Sequence, residues 1–177
     1  FGDQYIRFYK DNGQILSGGS AYEISTPYLE AELFDLKFAQ SADVMYICHP
    51  NHEVEKLSRT GHTSWSLTDV DFTKGPFLDP NTTATTLTPS AAGTGSRTIT
   101  ASATTGINNG SGFLSTDVGR FIHFNDGYGT ITAVGSTTSI TVDVTTAFAN
   151  TNAITAWHLG SFSNTTGFPA CVTFFEQ

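Results

Sequence analysis

No apolar run in this chain approaches the roughly 20 residues that a membrane-crossing helix needs. The N-terminus carries no signal-peptide pattern of a charged stretch followed by an apolar one. Membrane insertion is therefore not expected. Cations are scarce too: 8 Lys and Arg stand against 16 Asp and Glu, for a formal net charge of −8. The eight are Arg7, Lys10, Lys37, Lys56, Arg59, Lys74, Arg97 and Arg120, scattered along the chain. Tight binding of nucleic acid needs clustered cations against phosphate, so the composition argues against a firmly held nucleic acid. Cysteine is limited to Cys48 and Cys171, each within an apolar run. Two buried free thiols fit such settings, because a thiol packs as a small hydrophobe. A disulfide between them is the alternative the sequence leaves open. The Gly-rich stretches at residues 17–20 and 93–96 lack the Lys of a phosphate loop and the pattern of a nucleophile elbow. No Ser-His-Asp set can be assembled, and no cofactor is expected.

What the chain does have is β-forming sequence. Fourteen Phe, 17 Gly and abundant Ser and Thr favour strands and turns over helices. Its 177 residues suffice for one domain or two small ones. Residues 44–48, VMYIC, form a near-continuous apolar run of the kind found at the centre of a sheet. His49-Pro50-Asn51-His52 reads as a turn, and residues 54–58 as a half-polar return strand. Around this hairpin we expect strands at residues 5–9, 14–16, 22–24, 36–39 and 64–67, the last with Trp65 and Leu67 facing inward. Asp11-Asn12-Gly13 is a strong hairpin turn. The segment LEAELFD after Pro27 suits one short helix at residues 28–34. Short strands joined by tight turns describe an antiparallel meander, as in a propeller blade.

Composition changes after Gly75-Pro76. Between residues 81 and 160 the only charged side chains are Arg97, Asp117, Arg120, Asp126 and Asp143. Residues 83–88 read as a Thr-rich connector. Strands are expected at 97–101, 119–124, 129–134, 139–145 and 154–159, with Ile140, Val142 and Val144 inward and a turn at Asn125-Asp126-Gly127. A helical turn at 113–118, with Ser115 as its cap, would close one end. Such a set makes a small antiparallel barrel or sandwich. Residues 170–175 return to an apolar strand resembling the N-terminal part. The expected fold is therefore mainly β. Residues 1–80 form the first part of a parent, partial antiparallel propeller-like domain. Residues 81–160 form an inserted small β-barrel, and residues 161–177 return to the parent. Both ends fall beside strand-like sequence, without an initiator Met, which suggests a piece of a longer polypeptide.

Residues 39–77, AQSADVMYICHPNHEVEKLSRTGHTSWSLTDVDFTKGPF, resemble a segment common in tail proteins of double-stranded DNA bacteriophages. The pattern is SADV, an apolar strand, HPN, then KLSR and a Trp-containing strand. DVGRFIHFNDGYGTITAV, SITVDV and WHLGSFSNTTGFPACVTFFEQ match the same group, so the resemblance covers residues of about 20–80 and 113–177. The Thr-rich block is similar to an inserted β domain likened to the first catalytic-cysteine half-domain of ubiquitin-activating enzymes. That likeness implies no ubiquitin chemistry, since no cysteine lies between Cys48 and Cys171. The group is similar in role to the nozzle or tubular tail components of short-tailed phages, built around a β-propeller. It implies a non-enzymatic structural protein of the virion tail, whose partners are other tail subunits, including copies of itself; if the parent domain lines a DNA conduit, the net charge of −8 fits DNA that passes without being held.

Several side chains carry chemistry that this reading does not use. Cys48, His49, His52 and His62 offer metal-ligand types at one end of a hairpin, although the histidines also suit a plain turn. Asp69, Asp71 and Asp79 are hard oxygen donors of the kind Ca²⁺ takes, without the spacing of a dedicated loop. Glu30, Glu32 and Asp35 would serve as acid and base in a polysaccharide depolymerase, or simply decorate a helix face. Tyr128, at a hairpin tip, and Trp157 with His158 are candidate contact residues for a host-surface glycan. Core filling is the competing role for Trp157. A glycan-binding module and a depolymerase fragment are thus the alternatives to a purely structural protein.

Overall fold

The computed structural model describes residues 1–175. The chain is mainly β, built from antiparallel sheets, and among the described residues its helices are three single 3-10 turns at Glu30–Glu32, Asn108–Gly110 and Ser115–Asp117. It divides into two compact units. The first joins Phe1–Asp71 to the segment that begins at Phe168, and the second is Phe72–Gly167. Residues 72–80 and 161–167 thus belong with the Thr-rich block.

The first unit opens with six short strands: β1 Tyr5–Arg7, β2 Tyr9–Lys10, β3 Gly13–Gln14, β4 Leu16–Ser17, β5 Ser20–Ala21 and β6 Glu23–Ser25. They pair as β1 with β6, β2 with β3 and β4 with β5. Asp11 and Asn12 turn β2 into β3 with φ of 50° and 60°, a left-handed pair that short polar side chains tolerate. A four-stranded meander follows: β7 Lys37–Ser41, β8 Val44–His49, β9 His52–Gly61 and β10 Ser64–Asp69, in the spatial order β10-β9-β8-β7. Its inner face packs Ile47 and Leu57 against Ile6, Phe8, Tyr28 and Leu36, and Phe8 stacks on Trp65 at 4.0 Å between ring centroids.

The second unit is one six-stranded sheet. Its strands are β11 Leu87–Pro89, β12 Gly95–Ala101, β13 Phe121–Phe124, β14 Gly127–Ser136, β15 Ser139–Thr146 and β16 Trp157–Leu159. The spatial order β11-β12-β15-β14-β13-β16 is antiparallel throughout. Three register shifts along β14 bend it, and the sheet curls into a half-barrel. Its outer strands approach through a bridge between Leu87 of β11 and Ile154, just ahead of β16, with both N–H···O bonds formed at 2.9 and 3.0 Å. The curl needs close backbone contact. A Cβ on Gly129 would lie 2.4 Å from the Asp143 carbonyl oxygen, so only glycine lets β14 bend against β15. Inside are Ile99, Ile122, Phe124, Ile131, Ile140, Val142 and Trp157, all nearly inaccessible to solvent.

Several expectations change. The helix at 28–34 shrinks to the 3-10 turn Glu30–Glu32, because Leu29 stays extended and the stretch has no apolar stripe to bury. The turn at Ser115–Asp117 forms, but Ser115 is not its cap; Asp117 reaches back to the Leu114 N–H at 2.8 Å. Residues 87–89 form a strand, not a connector. Residues 170–175 form no strand. They lie along the first unit instead, with the Phe168 N–H on the Pro50 carbonyl and Phe174 edge-on to Tyr46 at 6.1 Å. Exposed in that segment, Cys171 is not a buried thiol; Cys48 is, and both are free. Burial pushes the Cys48 thiol up in pKa, with Cys171 nearby adding to the effect.

Candidate functional site

The hairpin of β8 and β9 turns on two residues, Pro50 and Asn51, and His49 pairs directly with His52 across its base. Proline presets the backbone angle at the first turn position, and asparagine tolerates the second. Between Ile47 and His49 the register slips. In an unbroken ladder His52 would face away from Glu55, because side chains alternate. The extra residue in β9 brings His52 round beside His49, and their ring centroids stand 5.2 Å apart.

The turn Glu30–Glu32 adds the third group. Glu32 Oε2 accepts hydrogen bonds from the Leu29 N–H at 3.0 Å and from His52 Nε2 at 2.8 Å, while Oε1 accepts from Asn51 Nδ2 at 3.4 Å. Leu29 first, then His52, hold this carboxyl at about 2, well below its ordinary value. His49 is almost wholly buried, and its Nδ1 accepts the Asn51 N–H at 3.2 Å. The Tyr28 ring meets His52 edge-on at 5.2 Å. Among the described residues, Glu32, His49 and His52 are the group of three whose donor atoms all lie within 4.8 Å of one another.

The sequence candidates are thus partly brought together. His49 and His52 meet, Glu32 joins them, and Cys48 and His62 stay out. His62 instead bridges Lys10 Nζ at 3.2 Å and Arg59 Nη2 at 3.0 Å. Asp69 and Asp71 fall in the first unit and Asp79 in the second. Glu30 and Asp35 are exposed and separate from the cluster. Trp157 is 3% exposed and donates from Nε1 to the Thr85 carbonyl at 2.9 Å, so it is a core residue of the half-barrel. His158 donates from Nδ1 to the Leu78 carbonyl at 3.1 Å. Tyr128 is half-buried beside the hairpin turn, with Lys74 Nζ 5.8 Å from its ring centroid. A polar cleft of about 460 Å³ opens in the second unit, lined by Asn81, Thr83, Asn109, Leu114, Thr165 and Thr166 among others.

A second titrating group in the first unit was not apparent from sequence. Glu55 on β9 is 8% exposed and stands directly opposite Asp69 on β10. Burial, then Asp69 and Glu53, raise its pKa from 4.5 to about 7. The folded chain therefore keeps this proton up to about pH 7, whereas the unfolded chain releases it near 4.5. Stability should fall as pH rises through that window. Glu55→Gln removes the penalty and should stabilise the protein at pH 8 by on the order of 2–3 kcal/mol, with little effect at pH 4. Urea titrations across this range check it. A wild-type profile that stays flat between pH 4.5 and 7, or a Gln variant that keeps the slope, would count against a buried, protonated Glu55.

No family model matches the chain, and no curated protein matches it significantly.

Proposed function

We propose that this chain is a structural component of a bacteriophage tail that works by subunit assembly and not by catalysis. The observation that carries the reading is the meander β7–β10 and what lies along its β7 side. Four antiparallel strands in sequential order have the form of a propeller blade. Among the described residues β7 has a neighbour on one edge only, and an open edge is a template for pairing with another chain. In and beside β7, Phe38 is 56% and Phe34 94% exposed, and Phe1 stacks on Phe38 at 6.4 Å. Exposed apolar surface of this kind marks protein–protein contact. The SADV-to-Trp65 run and the segments after residue 113 add the sequence likeness to phage tail proteins.

The partners in this reading are copies of the chain and other tail subunits, in the virion. The net charge of −8 fits a wall along which DNA slides without sticking. Electron microscopy of the full-length polypeptide tests the proposal. A closed ring of subunits with β7 at the contact supports it. Single particles at micromolar concentration, or a ring with a strongly basic lumen, would remove the assembly or the conduit part respectively.

The polar cleft of the second unit favours one further reading, recognition of a host-surface glycan. The carboxamide of Asn109 lines the cleft together with the apolar Leu78 and Leu114, while Asn81, Thr83 and Thr165, also in the lining, already hydrogen-bond within the chain. Sugars are bound by that combination of hydrogen bonds and apolar contact. Saturation-transfer NMR with surface polysaccharide, repeated on Asn109→Ala and Tyr128→Ala, separates the cleft from the hairpin tip as the contact. Absence of transfer at millimolar glycan excludes both.

A further inference from the structure

We propose that Glu32, His49 and His52 form a binding site for a divalent transition metal, with Zn²⁺ the best match. The site is independent of the assembly reading. Three chain elements supply it: the 3-10 turn, the end of β8 and the start of β9. Two imidazoles and one carboxylate are a donor set for Zn²⁺ and its neighbours. Ca²⁺ and Mg²⁺ prefer six or more oxygens, and here there is a single carboxylate.

The geometry is close to what an ion requires. Bonds of about 2.1 Å in a tetrahedron place donor atoms roughly 3.4 Å apart, and these atoms already lie within 4.8 Å. Glu32 Oε2 and His52 Nε2 are bridged by a hydrogen bond at 2.8 Å, and a cation between them would take that proton's place, with the ring carrying its N–H on Nδ1 instead. Contraction by up to about 1.4 Å completes the set, and His49 gives up the hydrogen bond that its Nδ1 accepts from the Asn51 N–H.

The surroundings fit as well. Ligating carboxylates and histidines are held by an outer layer of hydrogen bonds and packing. Here the Leu29 N–H and Asn51 Nδ2 fix the carboxylate, and the Tyr28 ring backs His52. His49 is 3% exposed, while the side chains of His52 and Glu32 keep 21% and 16%. One side of the cluster therefore faces water. Three protein donors leave a fourth position there, open to water or to a donor from another polypeptide. An ion would clamp the 3-10 turn to the hairpin twenty residues on, replacing one hydrogen-bonded proton with three coordinate bonds.

The test uses chelator-stripped protein carrying Cys171→Ser, so that the exposed thiol does not compete. Zn²⁺ is titrated calorimetrically, and Co²⁺ by visible absorption. The expected result is one ion per chain at micromolar affinity or tighter. His52→Ala and Glu32→Gln should each weaken it at least about tenfold, with His62→Ala unchanged. Because His52→Ala also loses a structural hydrogen bond, ring-nitrogen NMR of the otherwise wild-type chain gives a second readout. Zn²⁺ should shift the His49 and His52 rings and leave His62, His123 and His158 in place. No binding at millimolar Zn²⁺, unchanged affinity in His52→Ala, or shifts confined to His123 and His158 would overturn the proposal.

Discussion

Asp117→Ala should cost the half-barrel about 3–5 kcal/mol, enough to unfold a marginal unit. Asp117 is 0% and Arg120 1% exposed, and they pair at 3.0 Å. Every oxygen of the carboxylate is used. Oδ1 accepts from Arg120 Nη1 and from Thr165 Oγ1 at 2.8 Å; Oδ2 accepts from Asn108 Nδ2 at 2.7 Å and the Leu114 N–H at 2.8 Å. Arg120 in turn donates to the Gly160 carbonyl at 2.7 Å and to Asn108 Oδ1 at 2.8 Å. Burial lowers the Arg120 pKa, against the opposing pull of Asp117, because enclosure disfavours the charged form. Removing the carboxylate leaves a buried guanidinium without a counter-charge and takes one acceptor from each of four donors, of which Arg120, Asn108 and Thr165 keep a second partner. Replacing both residues with Leu and Met should cost much less, because no charge is then left behind. Urea midpoints of the single and double variants decide the matter. A single-variant loss below about 1 kcal/mol would mean that water reaches the pair, as at a surface ion pair.

Trp157→Ala should be nearly as damaging, at about 3–5 kcal/mol, through a cavity that the curled sheet cannot close. The residue pairs with Phe124 across β13 and β16, and Phe124 packs on Phe148 with ring centroids 4.4 Å apart. Trp157→Phe refills most of the space and leaves the Thr85 carbonyl only its second donor, Asn81 Nδ2 at 3.1 Å, for a smaller loss of about 1 kcal/mol. Tyr128→Ala, half-buried and far from that core in character, should move the midpoint by less than about 1 kcal/mol. Equal losses at Trp157 and Tyr128, or none at Trp157, would return Trp157 to the list of surface contacts.

Much of the β architecture was legible because it rests on short-range rules. Ile140, Val142 and Val144 alternate inward as their period of two requires. Asn125 and Asp126 turn β13 into β14 with φ of 51° and 62°, the left-handed pair that such residues favour. Other features depend on partners distant in sequence. β9 runs from His52 to Gly61 although Glu53 and Glu55 break its apolar pattern, because β8 and β10 hold it from both sides. Leu87–Pro89 joins the sheet through a single apolar residue amid threonines. Glu32 reaches His52 across a separation that no local pattern encodes. The Asp117–Arg120 network left a faint trace: these are two of the five charged residues in an eighty-residue block, three positions apart. In sequence so poor in charge, that spacing could have been read as a buried pair.

The bridge between Leu87 and Ile154 has a kinetic meaning. It joins the first strand of the second unit to the segment just ahead of its last, so forming it early would close a long loop before local hairpins had repaid the entropy. The hairpins β13–β14 and β14–β15 need no such closure. The transition state for folding should therefore contain those hairpins and lack the seam. Truncating Leu87 would then speed unfolding while leaving the folding rate nearly unchanged, a φ-value near zero. A φ-value near one would instead make the seam the nucleus. If the seam forms last, it is also where the half-barrel first comes open, and its lifetime sets how long the unit stays folded.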